Sequence, residues 1–273
     1  MDVRLKSLAY RMLGSVADAE DVVQEAQLRL HQCVPKPDNR EAYLYRVVSN
    51  LCVDKLRAER VRRKHYFGPW LPEPLVDDDA QLTETAEQLS LGFLLMLERL
   101  SPKERVVYVL REGFDFSFVE IAQLLDTSAA NARQHAHRAR RRLADVPVVL
   151  KQQPAEQKSL LEAMMLCVAQ GDIEGLVNLM SDDVVAYADG GGVVSAAIAP
   201  VFGAARIAQV TMHLAEKSAQ QGELGFDFRV MNGGWGLVIT IDAVVHSCFQ
   251  VGVSNGRIDV IYIIRNPHKL QQL

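Results

Sequence analysis

The sequence predicts a multi-domain protein in which all-α domains come first and an α+β domain follows. Two patterns support this fold class. Up to about residue 146, apolar residues recur at helical spacing between helix-capping motifs, whereas residues 226–264 contain four strand-like runs with Asn-Gly turns at 232–233 and 255–256. With 273 residues and 49% hydrophobic content, the chain is long enough for about two domains.

Residues 117–143 predict a helix-turn-helix. The apolar residues of the first half recur at helical spacing: Phe118, Ile121, Ala122 and Leu125. Ser117 and Glu120 form a capping-box pattern that sets the start of this helix. Asp126 and Thr127 interrupt the period and predict a tight turn, because Asp tolerates the left-handed conformation.

The second helix of this motif is predicted to run from a Ser128 cap to about Leu143, and it carries five arginines and no acid. Its inward stripe consists of Ala132, Ala136, Ala139 and Leu143. Its outward residues are predicted to contact DNA, base edges first and phosphates later: Ser128, Asn131, Arg133, Gln134, His137, Arg138 and Arg141. A solvated helical hairpin is the alternative, but the unbroken positive sign and the flanking caps favour DNA.

The net charge of −4 does not oppose DNA binding, because the charges are segregated. Residues 151–273 hold eight basic and twelve acidic side chains, so residues 1–150 hold twenty-two of each. Neither a membrane-length apolar run nor a signal-peptide core is present, which predicts a cytoplasmic protein without membrane contact. The four cysteines lack a Cys-x-x-Cys spacing, so we expect buried thiols and neither a disulfide nor a metal site.

The apolar spacing near the start of the chain predicts three helices. The first covers residues 4–13, the second starts near Asp18, and the third runs from about Arg40 to Lys64. The second begins with an acidic surface, and the third ends in a basic block. Another helix is predicted over residues 89–100, followed by a capping box of Ser101 and Glu104. Between these helices, prolines and acids indicate a linker, although Trp70 and Leu71 predict that part of it docks.

The second half predicts helices over 155–169, 172–180 and 201–219, then strands over 226–231, 235–243, 246–253 and 257–264. The possible acid-base groups are Asp189, His213, Asp242 and His246. Nothing in their spacing shows that any two of them meet, and a lone His or Asp in a sheet is more often structural, so structural roles are favoured over catalysis. The three glycines after Asp189 predict tight or left-handed backbone and close approach by another segment, with a simple loop as the alternative.

Three segments of the first half resemble regions 2 and 4 of an extracytoplasmic-function (ECF) sigma factor of the sigma-70 family. They are AYRMLGSVADAEDVVQEAQLRL, AYLYRVVSNLCVDKLRAERVRR and LERLSPKERVVYVLREGFDFSFVEIAQLLDTSAANARQHAHRARRRL, in the family's order. The resemblance implies two partners, promoter DNA and core RNA polymerase through its β′ clamp helices and β flap. It implies no cofactor. Family members usually carry further residues before the segment matching Leu8–Gly14, so the first helix is expected to be short or the natural start to lie upstream.

The resemblance also implies roles for individual residues. The acidic helix would dock on core polymerase through Asp18, Glu20, Asp21, Gln24 and Glu25. The −10 element would be bound and melted by Asn50, Asp54, Arg57, Arg60, Arg62 and Arg63. Asn50 and Asp54 would line a pocket for an extruded base, and the arginines a path for single-stranded DNA. The helix-turn-helix would read the −35 element. Gln27 and Tyr43 stand where the family usually has an aromatic residue and a tryptophan.

The second half resembles a SnoaL-like domain of the nuclear-transport-factor-like superfamily. Three short motifs, WLPEP (70–74), DGGG (189–192) and NPHKL (266–270), resemble those of SnoaL-fused ECF sigma factors. In that group the fused domain is thought to contact and regulate the sigma domains. The implied regulatory contacts are Trp70, Leu71, Pro72, Glu73, Pro74, Asp189, Gly190, Gly191, Gly192, Asn266, Pro267, His268, Lys269 and Leu270. Val193 replaces the group's usual lysine, and His268 its usual aspartate, which would make that contact pH-sensitive.

These observations predict five segments. They are a region 2 domain (1–66), a linker (67–88), a region 4 domain (89–146), a second linker (147–157) and a SnoaL-like regulatory domain (158–273). The predicted function is a non-enzymatic sigma factor regulated in cis. One alternative is a helix-turn-helix regulator that acts without polymerase, and another is a SnoaL-type enzyme tethered to DNA-binding helices.

Overall fold

The structure, a computed structural model, describes residues 2–63, 66–76, 90–144 and 154–273. Contacts divide the chain into two units: residues 1–65 with 93–148, and residues 66–92 with 149–273. Residues 66–76 therefore group with the C-terminal α+β domain. Lys64, Leu89 and the predicted linker acids at 77–79, 84 and 87 lie outside the described residues, as do residues 145–153.

The first unit is helical. It contains α1 (Asp2–Leu13), α2 (Val16–Gln32), α3 (Arg40–Arg63), α4 (Leu91–Leu97, which begins at the unit boundary), α5 (Pro102–Gly113), α6 (Phe118–Leu124) and α7 (Ala129–Leu143). The prediction placed the start of α2 at Asp18. It begins two residues earlier, because the Ser15 hydroxyl accepts a hydrogen bond from the Asp18 backbone N–H. Within the described residues, α4 is shorter than the predicted 89–100 helix.

The second unit contains α8 (Pro154–Gln170), α9 (Ile173–Asn178), β1 (Met180–Asp189), β2 (Val201–Phe202), α10 (Ala204–Ala219), β3 (Leu224–Met231), β4 (Gly234–Ile241), β5 (Val244–Ser254) and β6 (Arg257–Ile264), then a 3-10 turn (Pro267–Lys269). The sheet order is β2-β1-β6-β5-β4-β3, and only the β1–β6 pair is parallel. Apolar residues of α8 and α10, such as Leu161 and Ile207, share one core with Leu237 and Ile261 of the sheet.

Most of the strand predictions are confirmed. Both Asn-Gly turns have positive φ at both residues, as a two-residue type I′ hairpin requires. Two predictions were wrong. Strand β1 was missed, and the helix predicted from Val201 begins at Ala204, because Val201 and Phe202 pair with β1 as β2. The expectation of buried thiols holds for Cys52 and Cys248 but not for Cys33 and Cys167, which are partly exposed.

Candidate nucleic-acid interface and linker cluster

Helices α6 and α7 form the predicted helix-turn-helix. The Ser117–Glu120 capping box is present in full, and Asp126 in the turn has φ of +49°. Ser128 caps α7 by accepting a hydrogen bond from the Asn131 backbone N–H. The four residues of the predicted inward stripe are all buried. These caps and this stripe fix the direction of α7 and leave its basic face outside.

Five of the residues predicted to contact DNA are exposed on that face: Arg133, Gln134, His137, Arg138 and Arg141. Asn131 is partly buried, because its side chain donates to the Thr127 hydroxyl at 2.7 Å. The guanidinium of Arg133 lies 5.9 Å from the centre of the Phe118 ring. Side chains in the first turns of α7 are therefore positioned by contacts with α6 and with the turn that joins the two helices.

Two other arginines of α7 are paired within the unit. Arg142 donates to Glu104 at 2.9 Å, and Arg140 donates to Glu112 at 2.6 Å. Burial acts to raise the pKa of Glu104, but hydrogen bonds from Ser101 and the charges of Arg142 and Arg138 outweigh it and lower the pKa. Glu104 thus holds α7 against α5 as a carboxylate, and Arg142 has a structural partner besides any phosphate.

The predicted core-binding acids on α2 lie on an exposed to partly exposed face, together with Gln24. Asp18 accepts a hydrogen bond from Lys55 of α3 at 2.5 Å, and the second carboxylate of the face, Asp21, lies 3.7 Å from the same ammonium. Glu20 and Glu25 pair with Lys6 and Arg29 at the surface. Exposed pairs of this kind contribute little to stability, so these carboxylates can change partners at low cost.

The basic end of α3 contacts α5 and the residues that follow α4 through an arginine cluster, which consists of Glu59, Arg60, Arg63, Glu98, Leu100 and Arg105. Glu98 accepts short hydrogen bonds from both Arg63 and Arg105. Arg60 donates to the Leu100 carbonyl at 3.0 Å. Two of the arginines predicted for the −10 element are therefore engaged within the protein. Asn50, Asp54 and Arg57 are exposed, and the Arg62 side chain lies outside the described residues.

Two buried arginines, Arg11 of α1 and Arg105 of α5, make further contacts between the first three helices and the helices around the helix-turn-helix. Arg105 is 2% exposed and donates to the Arg11 carbonyl from Nε at 3.2 Å and from Nη2 at 3.0 Å. Arg11 donates in turn to the Gly113 carbonyl and lies 5.0 Å from the centre of the Phe114 ring. Burial lowers the pKa of Arg11 to about 10, which leaves it charged at neutral pH.

In the second unit, residues from all three short motifs meet in a linker cluster, which consists of Tyr66, Trp70, Leu71, Asp189, Asn266 and Lys269. Asp189, at the end of β1, is fully buried. Its carboxylate accepts hydrogen bonds from Tyr66 Oη at 2.6 Å, Leu71 N at 2.8 Å and Gly191 N at 2.9 Å. Lys269 Nζ lies 2.7 Å from the same carboxylate. Four donors thus satisfy a carboxylate that burial alone would strongly disfavour.

The glycines after Asp189 are explained by close approach and by backbone conformation. Gly191 has φ of +64°, and a Cβ there would lie 2.3 Å from Asn266 Nδ2. Gly192 has φ of +73°. The Asn266 side chain is fixed beside Gly191 by two hydrogen bonds: it donates to Tyr66 Oη and accepts from the His268 backbone N–H. The predicted close approach by another segment therefore comes from residue 266.

The remaining motif residues are divided between buried and exposed positions. Leu71, Pro72, Glu73, Pro74, Gly190 and Leu270 are buried, whereas Pro267 and His268 are exposed. Val76 forms a β-bridge with Met231, which extends the docked segment along the edge of the sheet. Docking of the Trp70–Pro74 segment, which its indole suggested, is therefore present. Tyr66 was not among the predicted contacts, although it is an aromatic residue only four positions before Trp70.

The predicted acid-base groups are found in different places. His213 and Asp242 are exposed, and Asp242 accepts a hydrogen bond from the Glu223 backbone N–H. His246 Nε2 lies 2.9 Å from Arg265 Nη2, which can only donate, so the Nδ1 of a neutral imidazole carries the proton and faces Ser247 Oγ. Burial, and then the charge of Arg265, lower the pKa of His246. The carboxylate of Asp189 is bonded to residues of the linker cluster, as described above.

Comparison with known proteins identifies the family. Residues 3–62 match the model of Sigma-70 region 2, and residues 90–143 match the model of Sigma-70, region 4. The chain is 34% identical to the ECF RNA polymerase sigma factor SigJ of Mycobacterium tuberculosis, over 97% of this chain and 89% of that protein. The chain belongs to the extracytoplasmic-function sigma factors. In this sigma factor, α1–α3 form region 2 and α4–α7 form region 4.

Two further comparisons agree with this family. The sigma factor is 32% identical to the probable ECF RNA polymerase sigma factor SigI of Mycobacterium tuberculosis, over 68% of this chain and 66% of that protein. The crystal structure of M. tuberculosis SigJ matches 98% of this chain and 94% of that chain, with a TM-score of 0.78 and 32% identity. The predicted fold class, two helical sigma domains followed by an α+β domain, is confirmed. None of the described helices is both long and apolar enough to cross a membrane.

Proposed function

We propose that this sigma factor directs promoter-specific initiation by core RNA polymerase in the cytoplasm, and that its C-terminal domain regulates it in cis by binding rather than by catalysis. In this proposal α7 reads the −35 element and α3 binds the −10 element. The acidic face of α2 docks on the β′ clamp helices, and region 4 docks on the β flap. The exposed basic face of α7 and the exposed Asn50, Asp54 and Arg57 support these assignments.

The observation that carries the regulatory part is the arginine cluster. Arg60 and Arg63, which the −10 assignment needs for single-stranded DNA, are bonded to Leu100 and Glu98 of region 4. A partly open cavity of about 270 Å³ lies at the same contact and is lined by the charged side chains of the cluster together with Leu56 and Pro102. Arg63, whose side chain is 19% exposed, cannot give the same donors to DNA while it is bonded to Glu59 and Glu98, whereas Arg60 is exposed and donates to Leu100 from Nη2. In this proposal the described arrangement is a closed state that opens on a promoter.

The docked linker segment gives the C-terminal domain a means of control. Residues 66–76, part of the stretch between α3 and α4, are held by the linker cluster and the Val76–Met231 bridge. Holding them fixes the path of the segment that connects regions 2 and 4. Release of the linker frees this connection, and we expect it to favour the open state.

The test is in vitro transcription with core polymerase from a library of randomised promoters, read out by sequencing the transcripts. The full chain is compared with chains that lack residues 266–273 or residues 154–273. We expect removal of residues 266–273 to raise transcription about 5- to 150-fold, the range of a coupling of about 1–3 kcal/mol. Removal of residues 271–273 alone, which keeps Lys269, is the matched control and should have little effect.

Two outcomes would contradict the proposal. The sigma assignment fails if no variant gives promoter-specific transcripts with core polymerase. The regulatory assignment fails if the chains that lack residues 266–273 and 154–273 both transcribe at the level of the full chain.

A further inference from the structure

The ammonium of Lys269 is surrounded by two aromatic rings, a carboxylate and a carbonyl, although Lys269 itself belongs to a short turn. Its Nζ is 4.2 Å from the centre of the Trp70 ring, 5.5 Å from the centre of the Tyr66 ring and 2.7 Å from Asp189 Oδ2, and it also donates to the Leu71 carbonyl. The Lys269 side chain is 13% exposed. Two aromatic rings, a buried carboxylate and a carbonyl are the groups that bind an ammonium ion.

The Asp189 carboxylate and the Tyr66 hydroxyl are held in place by contacts that do not involve the ammonium of Lys269. Tyr66 Oη, Leu71 N and Gly191 N fix both oxygens of Asp189, and Tyr66 Oη also accepts from Asn266. A site whose groups are fixed in advance loses little entropy when it binds a ligand. Lys269 itself comes from the short 3-10 turn after β6. The cluster therefore divides into a rigid receptor and a ligand that belongs to the same chain.

We propose that Tyr66, Trp70 and Asp189 form a binding site for a primary ammonium group, which Lys269 fills in this structure and which an amine from outside the chain can fill in its place. The carboxylate and the carbonyl both need N–H donors, so a primary ammonium satisfies the site. A quaternary ammonium has no N–H and can use only the rings. Binding itself is independent of the proposed function, whereas an effect of the amine on transcription rests on it.

The resident lysine sets the concentration at which an outside amine can compete. A group tethered within the same chain has an effective concentration of the order of millimolar. In the unmodified protein an amine therefore has to displace Lys269, and we expect a weak response. Lys269→Ala removes this competitor and leaves a space that matches n-propylammonium, which carries the same three terminal carbons and nitrogen as the lost side chain.

The experiment titrates the full chain carrying Lys269→Ala with n-propylammonium chloride, against potassium chloride and tetramethylammonium chloride at equal ionic strength. Thermal unfolding reports binding, because a ligand of the folded state raises Tm with concentration. Fluorescence of Trp70, in a Trp235→Phe background that leaves it as the single tryptophan, reports where binding occurs. We expect a saturable rise in Tm with n-propylammonium and at least tenfold weaker binding of tetramethylammonium.

Two variants serve as controls. Lys158 also lies over a tryptophan, 4.6 Å from the centre of the Trp235 ring, but the carboxylate it faces, Glu162, is half exposed and 4.0 Å away. Lys158→Ala should therefore respond to n-propylammonium as it does to potassium. The double variant Lys269→Ala/Asp189→Asn removes both charges and should not bind the amine, although its amide NH2 then faces the N–H of Leu71 or Gly191. Thermal unfolding in potassium chloride shows that its fold persists.

If Lys269→Ala folds poorly, the yield of refolding in n-propylammonium against potassium replaces the Tm measurement. The proposal is overturned if n-propylammonium and potassium act alike on Lys269→Ala, or if the double variant responds as strongly as the single one. Neither polymerase nor DNA is present in these measurements, so their failure and a failure of the transcription test are distinguishable.

Discussion

At the scale of single residues, the protonation state of His246 affects the stability of the C-terminal domain. Its Nε2 accepts from Arg265 in the neutral form only, and Arg265 also donates to the Ser195 carbonyl of the loop after the glycines. Because the pKa of His246 is lowered in the folded state, the unfolded chain takes up a proton first as the pH falls. The contribution of this residue is therefore present above its usual pKa of about 6.5 and is lost as the pH falls below it.

We expect His246→Gln to reduce the loss of stability between pH 7.5 and pH 5.5, since Gln offers Arg265 an acceptor oxygen and does not titrate. The measurement is urea unfolding of both full chains at the two pH values, taken as the difference between variant and parent so that other groups cancel. The exposed His213→Gln is the matched control and should follow the parent. Equal pH dependence in His246→Gln and the parent would show that this imidazole is not the titrating group.

Residues of the linker cluster show which part of a site the sequence can predict. Three successive glycines predicted close approach by another segment, because few other reasons exist for that backbone freedom. The approaching residue, Asn266, lies some 75 positions later and meets the glycines only because β1 pairs in parallel with β6. Tyr66 and Lys269 reach the same carboxylate from separate segments. Local motifs were therefore predictable from sequence, but their contacts depend on the pairing of distant strands.

At the scale of elements, we expect the two ends of α7 to make separable contributions to promoter binding. Arg133 and Gln134 are exposed in its first turns, where a recognition helix meets base edges. We expect Arg133→Ala or Gln134→Ala to cost about 1–3 kcal/mol on the preferred −35 sequence and to relax the preference there. Arg141→Ala, nearer the end of the helix, should weaken binding of all promoters alike and reduce the salt dependence by about one counterion.

The measurement is the affinity of the holoenzyme for a set of −35 variants at two salt concentrations. Arg142→Ala is a further comparison, because Arg142 pairs with Glu104 and its loss also loosens α7 from α5. If Arg133→Ala and Arg141→Ala gave the same uniform loss across all −35 variants, α7 would not be placed as a reader of bases.

Elements were predicted most accurately where a local chemical signal marks them. The capping boxes at Ser101 and Ser117 and the left-handed Asp126 set helix ends through contacts within a few residues, and all three are present. Strand β1 was missed because its first residue, Met180, is followed by the polar residues 181–183 and because it pairs with β6, which is far away in the sequence. Pairing between distant segments adds stability that no local propensity reports.

At the scale of the whole molecule, the proposed function connects the charge pairs of this sigma factor to its promoter binding. The arginine cluster uses the side chains that the −10 assignment requires, and the linker cluster holds the segment that joins regions 2 and 4. Neither contact could be predicted from net charge, because each depends on which carboxylate a given cation meets. DNA phosphates would offer the same arginines a competing anion, so under the proposed function we expect promoter binding and opening of the closed state to be coupled.

Glu98→Gln tests this coupling. Glu98 is the carboxylate that joins Arg63 of region 2 to Arg105 of region 4, and Gln keeps its size but removes its charge. Losing these charge pairs should destabilise the closed state by about 1–2 kcal/mol. The equilibrium between the closed and open states would then shift towards the open state about 5- to 30-fold. We expect open complexes to form faster by up to that factor, measured with core polymerase and a fluorescent base in the −10 element.

The matched control for Glu98→Gln is Glu59→Gln. Glu59 also accepts a hydrogen bond from Arg63, at 2.7 Å, but both residues lie on α3, so its loss does not separate the two regions. Thermal unfolding of both variants shows whether the folds persist. Equal rates of open-complex formation in Glu98→Gln and Glu59→Gln would mean that the contact between α3 and α5 does not restrain the sigma factor. A faster rate confined to Glu98→Gln would assign the restraint to this single carboxylate.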